Sequence, residues 1–290
     1  MRFAFIEAHR SEFRIEKMCT VLQVARSGFY AWRSRRQSAQ KQRKGQVQQQ
    51  IIVLFHDHCS RYGSPKMTKL LHRRGVRISS RTVSLYMREL GLRSCVSRKF
   101  RVQTTDSAHP SPIVPNVLNQ NFVANAPNEK WVADVTYIPC RQGRLYLASV
   151  MDLYTREIVG WCLRDRMTQD LVVEALQIAY QAKKPKPGLL HHSDRGSQYA
   201  SKTYRKQLER YEMTASMSRK GNCYDNAVIE AFHSVLKKEL VYVTRFQTHA
   251  QAYDELYTYL EFFYNRKRMH SALDYLSPAQ FAARWRQHSA

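Results

Sequence analysis

The sequence is that of a basic, globular protein of 290 residues. Its 43% hydrophobic content can build a core for one or two domains, and 47 lysines and arginines against 23 acidic residues give a net charge of +24. That charge favours a polyanionic partner, nucleic acid above all, and predicts binding that weakens as salt rises. The six cysteines are scattered with no CxxC pair, which argues against a zinc ribbon or a disulfide framework and favours a reducing cytoplasm. The short apolar patch 3–6 fits neither a signal peptide nor a membrane span, so no membrane association is expected.

Residues 1–48 are predicted to form a basic helical region. Two short amphipathic stretches lie within 15–32, and Ser27-Gly28 is predicted to be the turn between them, as in a helix-turn-helix. The run 33–50 is dense in Arg, Lys and Gln. It is interpreted as a solvated helix or linker, with a phosphate-tracking arm as the alternative.

A second helical unit is predicted over 49–104. A helix from Lys66 to Arg74 ends at Gly75, and a second begins after an N-cap serine, Ser79 or Ser80, and stops at Gly91. This is the stronger helix-turn-helix candidate, in which the second helix enters the major groove. The residues expected to contact DNA are Lys66, Arg81, Ser84 and Arg88. A helical hairpin with a basic outer face is the alternative.

Residues 105–123, rich in Pro, Ser and Asn, are predicted to be an extended linker, and 124–287 an α/β domain with a helical tail. The predicted order is three strands, a helix, a strand, a helix, a strand and a helix, with the segments at 130–138, 144–151, 156–163, 168–182, a strand ending at Asp194, 201–211, 213–217 and 225–238. Pattern alone leaves several mixed topologies open. In the tail, 249–285, interleaved tyrosines and basic residues either stack on nucleic acid or pack the helix onto the domain.

Three acidic residues are candidates for a catalytic or metal-binding role. Asp134 lies in the middle of a β-branched and aromatic strand, where an unpaired charge is costly. Asp194 lies at the carboxyl edge of another strand, and Glu230 follows after 35 further residues on a helix. Three hard carboxylate oxygens that converge from two strand ends and a helix suit Mg²⁺ or Mn²⁺. Taken singly, Glu230 could be a solvated surface residue and Asp194 a turn former.

The helix that carries Glu230 is predicted to be amphipathic. Its buried stripe is expected to comprise Val228, Phe232, Val235 and Leu236. The opposite face is expected to present Asn226, Glu230, His233 and Lys237. Asn226, His233 and His192 are therefore candidates for orienting the carboxylates, with a structural role equally open, and Asp152 is expected to form a turn or to support the site.

These residues together resemble a known family. The acids Asp134, Asp194 and Glu230, with a lysine seven residues beyond the glutamate, resemble the acidic triad of DDE transposases and retroviral-type integrases. The segments HHSDRGSQY, NCYDNAVIEAFHSVLKKE and FFYNRKRMHSALDYLSPAQF are similar to the second open reading frame product, OrfB, of the insertion-sequence-three family of bacterial transposable elements. The similarity runs from about Asn128 to Phe281 in these motifs.

The resemblance implies a fold, an activity and partners. The fold is an α/β, ribonuclease-H-like integrase core with an all-helical helix-turn-helix region before it. The activity is metal-dependent cleavage of the element ends followed by strand transfer of the 3′-hydroxyl into target DNA, with two Mg²⁺ or Mn²⁺ ions held by the three acids. Lys237 would contact a phosphate near the element end. Partners would be the terminal inverted repeats and target DNA, further copies of the chain in a synaptic complex, and the upstream OrfA product as a fusion or separate protein.

Two other functions fit the same sequence. A nuclease of the same fold would hydrolyse DNA without joining it, and a DNA-binding repressor with a degenerate core would do neither. A cytoplasmic, nucleoid-associated location in a bacterium is expected for this chain.

Overall fold

The computed structural model describes residues 1–34, 38–97 and 113–289. They form two compact units, Met1–Leu54 and Phe55–Ala290, and the boundary falls inside one helix. Within the described ranges, no helix is both long and apolar enough to cross a membrane.

The first unit is helical, as predicted. Its helices are α1 (Arg2–Ala8), α2 (Ile15–Val21), α3 (Arg26–Ser34) and the first part of α4 (Ala39–Asp57). The predicted turn at Ser27-Gly28 is wrong, because both residues lie in the first turn of α3. The chain reverses earlier, where Gln23 has φ +51° and the Val24 amide donates to the Cys19 carbonyl. The polar run is a helix from residue 39, while residues 35–37 lie outside the described ranges.

The pair of helices predicted within 49–104 is present. It consists of α5 (Ser64–Arg73), which begins two residues before the predicted start because Pro65 occupies its first turn, and α6 (Ser80–Glu89). Ser79 is the N-cap of α6, since its hydroxyl accepts a hydrogen bond from the Thr82 amide at 3.1 Å.

A five-stranded mixed sheet follows, and all its predicted strands are present. The strands are β1 (Lys130–Ile138), β2 (Leu145–Asp152), β3 (Ile158–Arg164), β4 (Leu190–Ser193) and β5 (Thr214–Met217), in the spatial order β3-β2-β1-β4-β5. β1 pairs antiparallel with β2 and parallel with β4. The central strand therefore joins an antiparallel half of the sheet to a parallel half.

Helices cover both faces of this sheet. One face packs against α7 (Gln169–Lys183) and α8 (Lys202–Arg210). This packing is closest at Gly160 in β3, where a Cβ atom would lie 2.4 Å from the Ala175 carbonyl oxygen and 2.6 Å from the Ala179 nitrogen. A side chain at position 160 would thus force α7 away from the sheet.

The other face packs against α9 (Ala227–Leu236) and the C-terminal tail. After α9 come a π-helical turn (Lys237–Val241), α10 (Tyr242–Thr244), α11 (His249–Tyr257), a second π-helical stretch (Thr258–Tyr264) and α12 (Pro278–Ser289). Tyr259 and Tyr264 of the tail are buried in the core, whereas Tyr253 and Tyr257 are exposed. The rings of Tyr253 and Tyr257 nevertheless contact that of Trp161 on β3, at 5.7 and 6.3 Å between ring centres, so all four tyrosines pack the tail onto the domain.

The end of the predicted linker is part of the core. Residues 98–112 lie outside the described ranges, but 113–123 run along the sheet edge as a strap. The strap's Leu118 is 2% exposed, and the Val117 and Leu118 amides both donate to Ser216 Oγ, at 2.9 and 3.1 Å. This part of the chain is bonded to the domain because its backbone amides find acceptors on β5.

Candidate active site

The sheet register places the two aspartates side by side. β1 and β4 are parallel, with Ala133 opposite Ser193, so the next residue along each strand is Asp134 and Asp194 respectively. Adjacent strands lie about 4.8 Å apart. Along β1 the side chains alternate, and Val132 and Ile138 belong to the core beneath α9, so Asp134 faces α9 as well. Asp194 directly follows the last residue of β4, as predicted for a strand's carboxyl edge.

Helix α9 brings Glu230 towards these aspartates. Glu230 lies in the first turn of α9, and the negative charge of Asp134 acts on it. The predicted buried stripe is only partly right: Phe232 and Leu236 are buried, Val228 and Val235 are half-buried, and the fully buried Ile229 was missed. The carboxylate-bearing side of α9 also packs inward at Asn226 and His233, because β1 and β2 lie beneath it.

His233 connects α9 to Asp134. Its Nδ1 atom lies 3.2 Å from Asp134 Oδ2, and its Nε2 atom lies 3.3 Å from Ser149 Oγ. Ser149 is the cross-strand partner of Asp134 in the β1/β2 register. The imidazole is thus held between two neighbouring strands, one turn of helix beyond Glu230.

The ionisable groups around Asp134 influence one another. Burial, and then the charge of Asp134, raise the pKa of Glu230. Burial, followed by Tyr204 and the charges of Asp134 and Asp194, raises the pKa of Tyr199. Lys237 lies 4.0 Å from the centre of the Tyr137 ring, and burial lowers its pKa while Asp134 opposes that shift. Glu230, Lys237 and Tyr199 therefore all lie within electrostatic reach of Asp134.

The three carboxylates fit a divalent metal by their chemistry, since they supply only hard oxygen ligands and repel one another. Two of them hold protein partners in this structure: Asp134 Oδ2 contacts His233, and Asp194 Oδ1 accepts a hydrogen bond from the Gly196 amide at 2.9 Å. Across the described ranges, no three His, Cys, Asp or Glu side chains are arranged so that they could hold a metal ion. A bound cation would offset the repulsion that raises the pKa of Glu230.

Other predicted supporting residues have separate roles. His192 is fully buried and contacts Ser216 Oγ at 2.8 Å and Ser218 Oγ at 3.2 Å, and burial lowers its pKa to about 4. It is a buried ring held between serine hydroxyls. Asp152 forms a turn, as expected, since its Oδ1 atom accepts from the Thr155 amide and hydroxyl, at 2.7 and 2.9 Å.

Comparison with known proteins decides the family. Two family models described as integrase core domain match residues 124–223 and 211–278, and one described as HTH-like domain matches 41–100. Transposase InsF for insertion sequence IS3A, from Escherichia coli, is 41% identical over 283 residues, which cover 97% of this chain and 98% of that protein. The chain belongs to the IS3 transposase family.

A second relative is the uncharacterized 31 kDa protein of insertion element IS600 from Shigella sonnei, 42% identical over 273 residues, or 94% of this chain and all of that protein. The HTLV-2 integrase catalytic core domain in complex with magnesium matches at a TM-score of 0.44 and 15% identity, over 55% of this chain and 99% of that one. A likeness of that degree says nothing about the site. The integrase-core models and the mixed sheet with helices on both faces confirm the predicted ribonuclease-H-like fold.

The hairpin of this IS3-family chain presents three of its four predicted DNA contacts. Arg81, Ser84 and Arg88 are exposed on α6. Lys66, the fourth, is half-buried with its ammonium 4.9 Å from the centre of the Tyr62 ring, and its contact with DNA stays a prediction. Burial lowers the pKa of Lys66 to about 8. Helix α5 contacts the C-terminal tail through Lys69, whose ammonium lies 5.2 Å from the centre of the Tyr275 ring.

Several contacts within the tail, and between the tail and the hairpin region, were not apparent from the sequence. Glu239, in the first π-helical turn, is buried and accepts hydrogen bonds from Arg268 at 2.9 to 3.2 Å and from the Tyr259 hydroxyl at 2.7 Å. The Tyr62 hydroxyl accepts from the Met269 amide at 3.0 Å, and Arg73 donates to the Tyr275 carbonyl at 2.8 Å. The spacing of the three acids gave no signal for these partners, since they lie 20 or more residues from one another and in different elements. The hairpin is thereby fixed to the tail.

Proposed function

We propose that this chain is the DNA transposase of a bacterial insertion sequence, which cleaves the element ends and transfers their 3′-hydroxyl groups into target DNA. One observation carries the proposal: Asp134 and Asp194 each directly follow a member of the register pair Ala133–Ser193 on parallel strands, and the charge of Asp134 acts on Glu230 of α9. Membership of the IS3 transposase family supports the same reaction.

Asp134, Asp194 and Glu230 would hold Mg²⁺ or Mn²⁺, two ions in all. When bound, such ions activate an attacking oxygen and stabilise the charge that develops on the phosphate and leaving oxygens. His233 would hold one Asp134 oxygen in place and leave the other for ligation.

The remaining side chains would bind and orient DNA. The Lys237 ammonium, at the start of the π-helical turn that follows α9 and in electrostatic reach of Asp134, would pair with a phosphate next to the cleaved bond. Water would be the first nucleophile, and the 3′-hydroxyl that it frees would be the second. The same carboxylates serve both steps, so no covalent link between protein and DNA is needed.

Recognition of the terminal inverted repeats would fall to α6. Its exposed Arg81, Ser84 and Arg88 lie on one side of a capped helix, the position of a recognition helix in the major groove. Synapsis of two ends requires more than one copy of the chain, and an upstream OrfA product would act with it as a fusion or a separate partner.

A strand-transfer assay tests the proposal against its rivals. The full chain is incubated with Mn²⁺, a pre-cut element end with a free 3′-hydroxyl, and a supercoiled target plasmid. Joined product is expected. Hydrolysis without joining would favour the nuclease, and an unchanged result with Asp194→Asn and Glu230→Gln would remove these two acids from the reaction.

A further inference from the structure

Two buried residues precede the helix that carries Glu230. Asp225 and Asn226 end a 3₁₀ turn that runs directly into α9, and they are 0% and 3% exposed. Burying an ionised carboxylate is costly unless it is paired and fully hydrogen-bonded. The hydrogen-bond partners of Asp225 must therefore offset the cost of burying its charge.

Asp225 binds two segments at once. From its own loop, the Arg219 amide donates to Oδ2 at 2.8 Å, and the Arg219 guanidinium donates to Oδ2 at 3.0 Å and to Oδ1 at 2.7 Å. From the strap, Asn116 Nδ2 donates to Oδ2 at 2.9 Å and Gln120 Nε2 donates to Oδ1 at 2.8 Å. Side-chain hydrogen bonding by Arg219, above all, holds the pKa of Asp225 well below its usual range. The carboxylate thus fastens the loop before α9 to the strap.

Asn226 binds the strand of the first aspartate. Its Nδ2 atom donates to the Ala133 carbonyl at 3.1 Å, and Ala133 directly precedes Asp134. Its Oδ1 atom is buried and has no hydrogen-bond partner among the described residues. An unpaired buried acceptor costs free energy, so the bond from Asn226 Nδ2 to the Ala133 carbonyl must offset that cost.

We propose that Asp225 and Asn226 are positioning residues that set the distance between Glu230 and Asp134, and that the strap holds them in place. The strap is bonded to β5 through Ser216 and to the loop before α9 through Asp225, so whatever fixes the strap also fixes the start of α9. The proposal rests on the proposed function, because it matters only if Glu230 and Asp134 act together. Neither Asp225 nor Asn226 needs to touch the metal or the DNA.

The test uses Mn²⁺ as the probe and the full chain without DNA. Mn²⁺ affinity is measured by electron paramagnetic resonance, and backbone protection over 217–230 by hydrogen exchange. Asp225→Asn is expected to weaken Mn²⁺ binding by about tenfold, as losing a supporting partner of a metal ligand does, and to speed exchange at the start of α9. Gln120→Ala, an exposed strap residue that supplies one neutral donor, should shift both readings in the same direction by less.

Glu174→Gln is the matched control. Like Asp225→Asn, it removes the carboxylate partner of an arginine, here the exposed Arg164 on β3, which lies outside the strap and the loop before α9. It should leave both readings unchanged. Faster exchange with unaltered Mn²⁺ affinity in Asp225→Asn and Gln120→Ala would overturn the positioning role while leaving the proposed function intact. Absence of Mn²⁺ binding by the unaltered chain would overturn both. If Asp225→Asn does not fold, Gln120→Ala decides alone.

Discussion

His233 and Asp134 make a directed contact, with Nδ1 of the ring 3.2 Å from Oδ2 of the carboxylate. Ser149 lies 3.3 Å from the other ring nitrogen. A neutral imidazole satisfies both neighbours when Nδ1 donates to the aspartate and Nε2 accepts from the serine hydroxyl. The carboxylate is thereby oriented by a chain of hydrogen bonds that begins on the next strand.

Replacing His233 should therefore disturb metal binding. His233→Leu removes the donor and is expected to weaken Mn²⁺ affinity and DNA cleavage by about 10- to 100-fold. His233→Asn retains an N–H donor close to the position of Nδ1 and should recover part of the loss. Calorimetric titration of both variants with Mn²⁺ is the measurement, and equal affinities for Leu, Asn and His would contradict the role.

The three acids should be needed for catalysis and dispensable for DNA binding. Asp134→Asn, Asp194→Asn and Glu230→Gln should each lower cleavage by more than about a hundredfold, beyond the cost of losing a supporting partner. Each substitution removes a negative charge from a DNA-facing site, so affinity for DNA should hold or rise. Single-turnover cleavage and gel-shift assays measure the two effects, and a variant that cleaves normally would exclude its residue from the site.

Arg81 and Arg88 should contribute to DNA affinity through phosphates or bases. If Arg81→Ala removes a phosphate contact, the slope of log affinity against log salt should fall by about 0.9. If Arg88→Ala instead relaxes sequence preference, that arginine contacts a base edge. Binding titrations at several salt concentrations distinguish these outcomes. Arg164→Gln, on β3, serves as the control; a slope change as large as that of Arg81→Ala would point to a nonspecific charge effect.

The buried position of Lys66 predicts a dependence of stability on pH. Its pKa is about 8 in the folded protein against 10.5 in an exposed lysine, so the folded state binds fewer protons than the unfolded state between these values. Stability contributed by this group must then increase as pH rises from 8 to 10.5, and the burial cost is fully present below pH 8.

Lys66→Met should consequently raise Tm at pH 7 by about 2–4 °C, the shift for 1 kcal/mol in a domain of this size. The advantage should shrink as pH approaches 10. Lys69→Met, an exposed lysine of the same helix, is the control and should show no such trend. Calorimetric scans between pH 7 and 10 measure it, and a constant difference across that range would show that the Lys66 ammonium pays no burial cost.

The pair Glu239–Arg268 should be costly to break. Arg268 is 7% exposed and Glu239 fully buried at the side chain, so Glu239→Gln leaves a buried guanidinium without its counter-charge. The expected loss is about 3–5 kcal/mol of unfolding free energy. The exposed pair Arg164–Glu174 offers the comparison, where Glu174→Gln should cost no more than about 1 kcal/mol. Urea unfolding of both variants is the measurement, and similar losses would refute the distinction.

Local pattern was sufficient for the regular elements. The alternating and β-branched runs around Asp134 gave β1 within its observed bounds, and the serine before α6 proved to be its cap. The position of Asp194 directly after its strand was also predicted, whereas its level beside Asp134, in the middle of β1, is set by the β1/β4 register. The predicted features depend on neighbours in sequence, which is the range over which periodicity and capping act.

Longer-range packing explains the misses. Ile229 is buried, and Val228 less so, because α9 meets β1 on one side and the tail on another, a geometry that a single helical stripe does not describe. Ser27-Gly28 looked like a turn, although Gly28 is a helical residue whose Cβ would approach Phe3 at 3.3 Å. The strap looked like a linker because its acceptors, Ser216 and Asp225, lie about a hundred residues away.

The close packing of α7 on Gly160 gives one way in which the gene of a transposase can lose its function. A single nucleotide change that gives position 160 a side chain would place a Cβ atom 2.4 Å from the Ala175 carbonyl oxygen. This clash would push α7 away from β3. The resulting chain would keep the three acidic residues and the sequence motifs, but α7 would no longer pack against the sheet. A genome can therefore carry dead copies whose catalytic signature is complete, and reading that signature alone would count them as mobile.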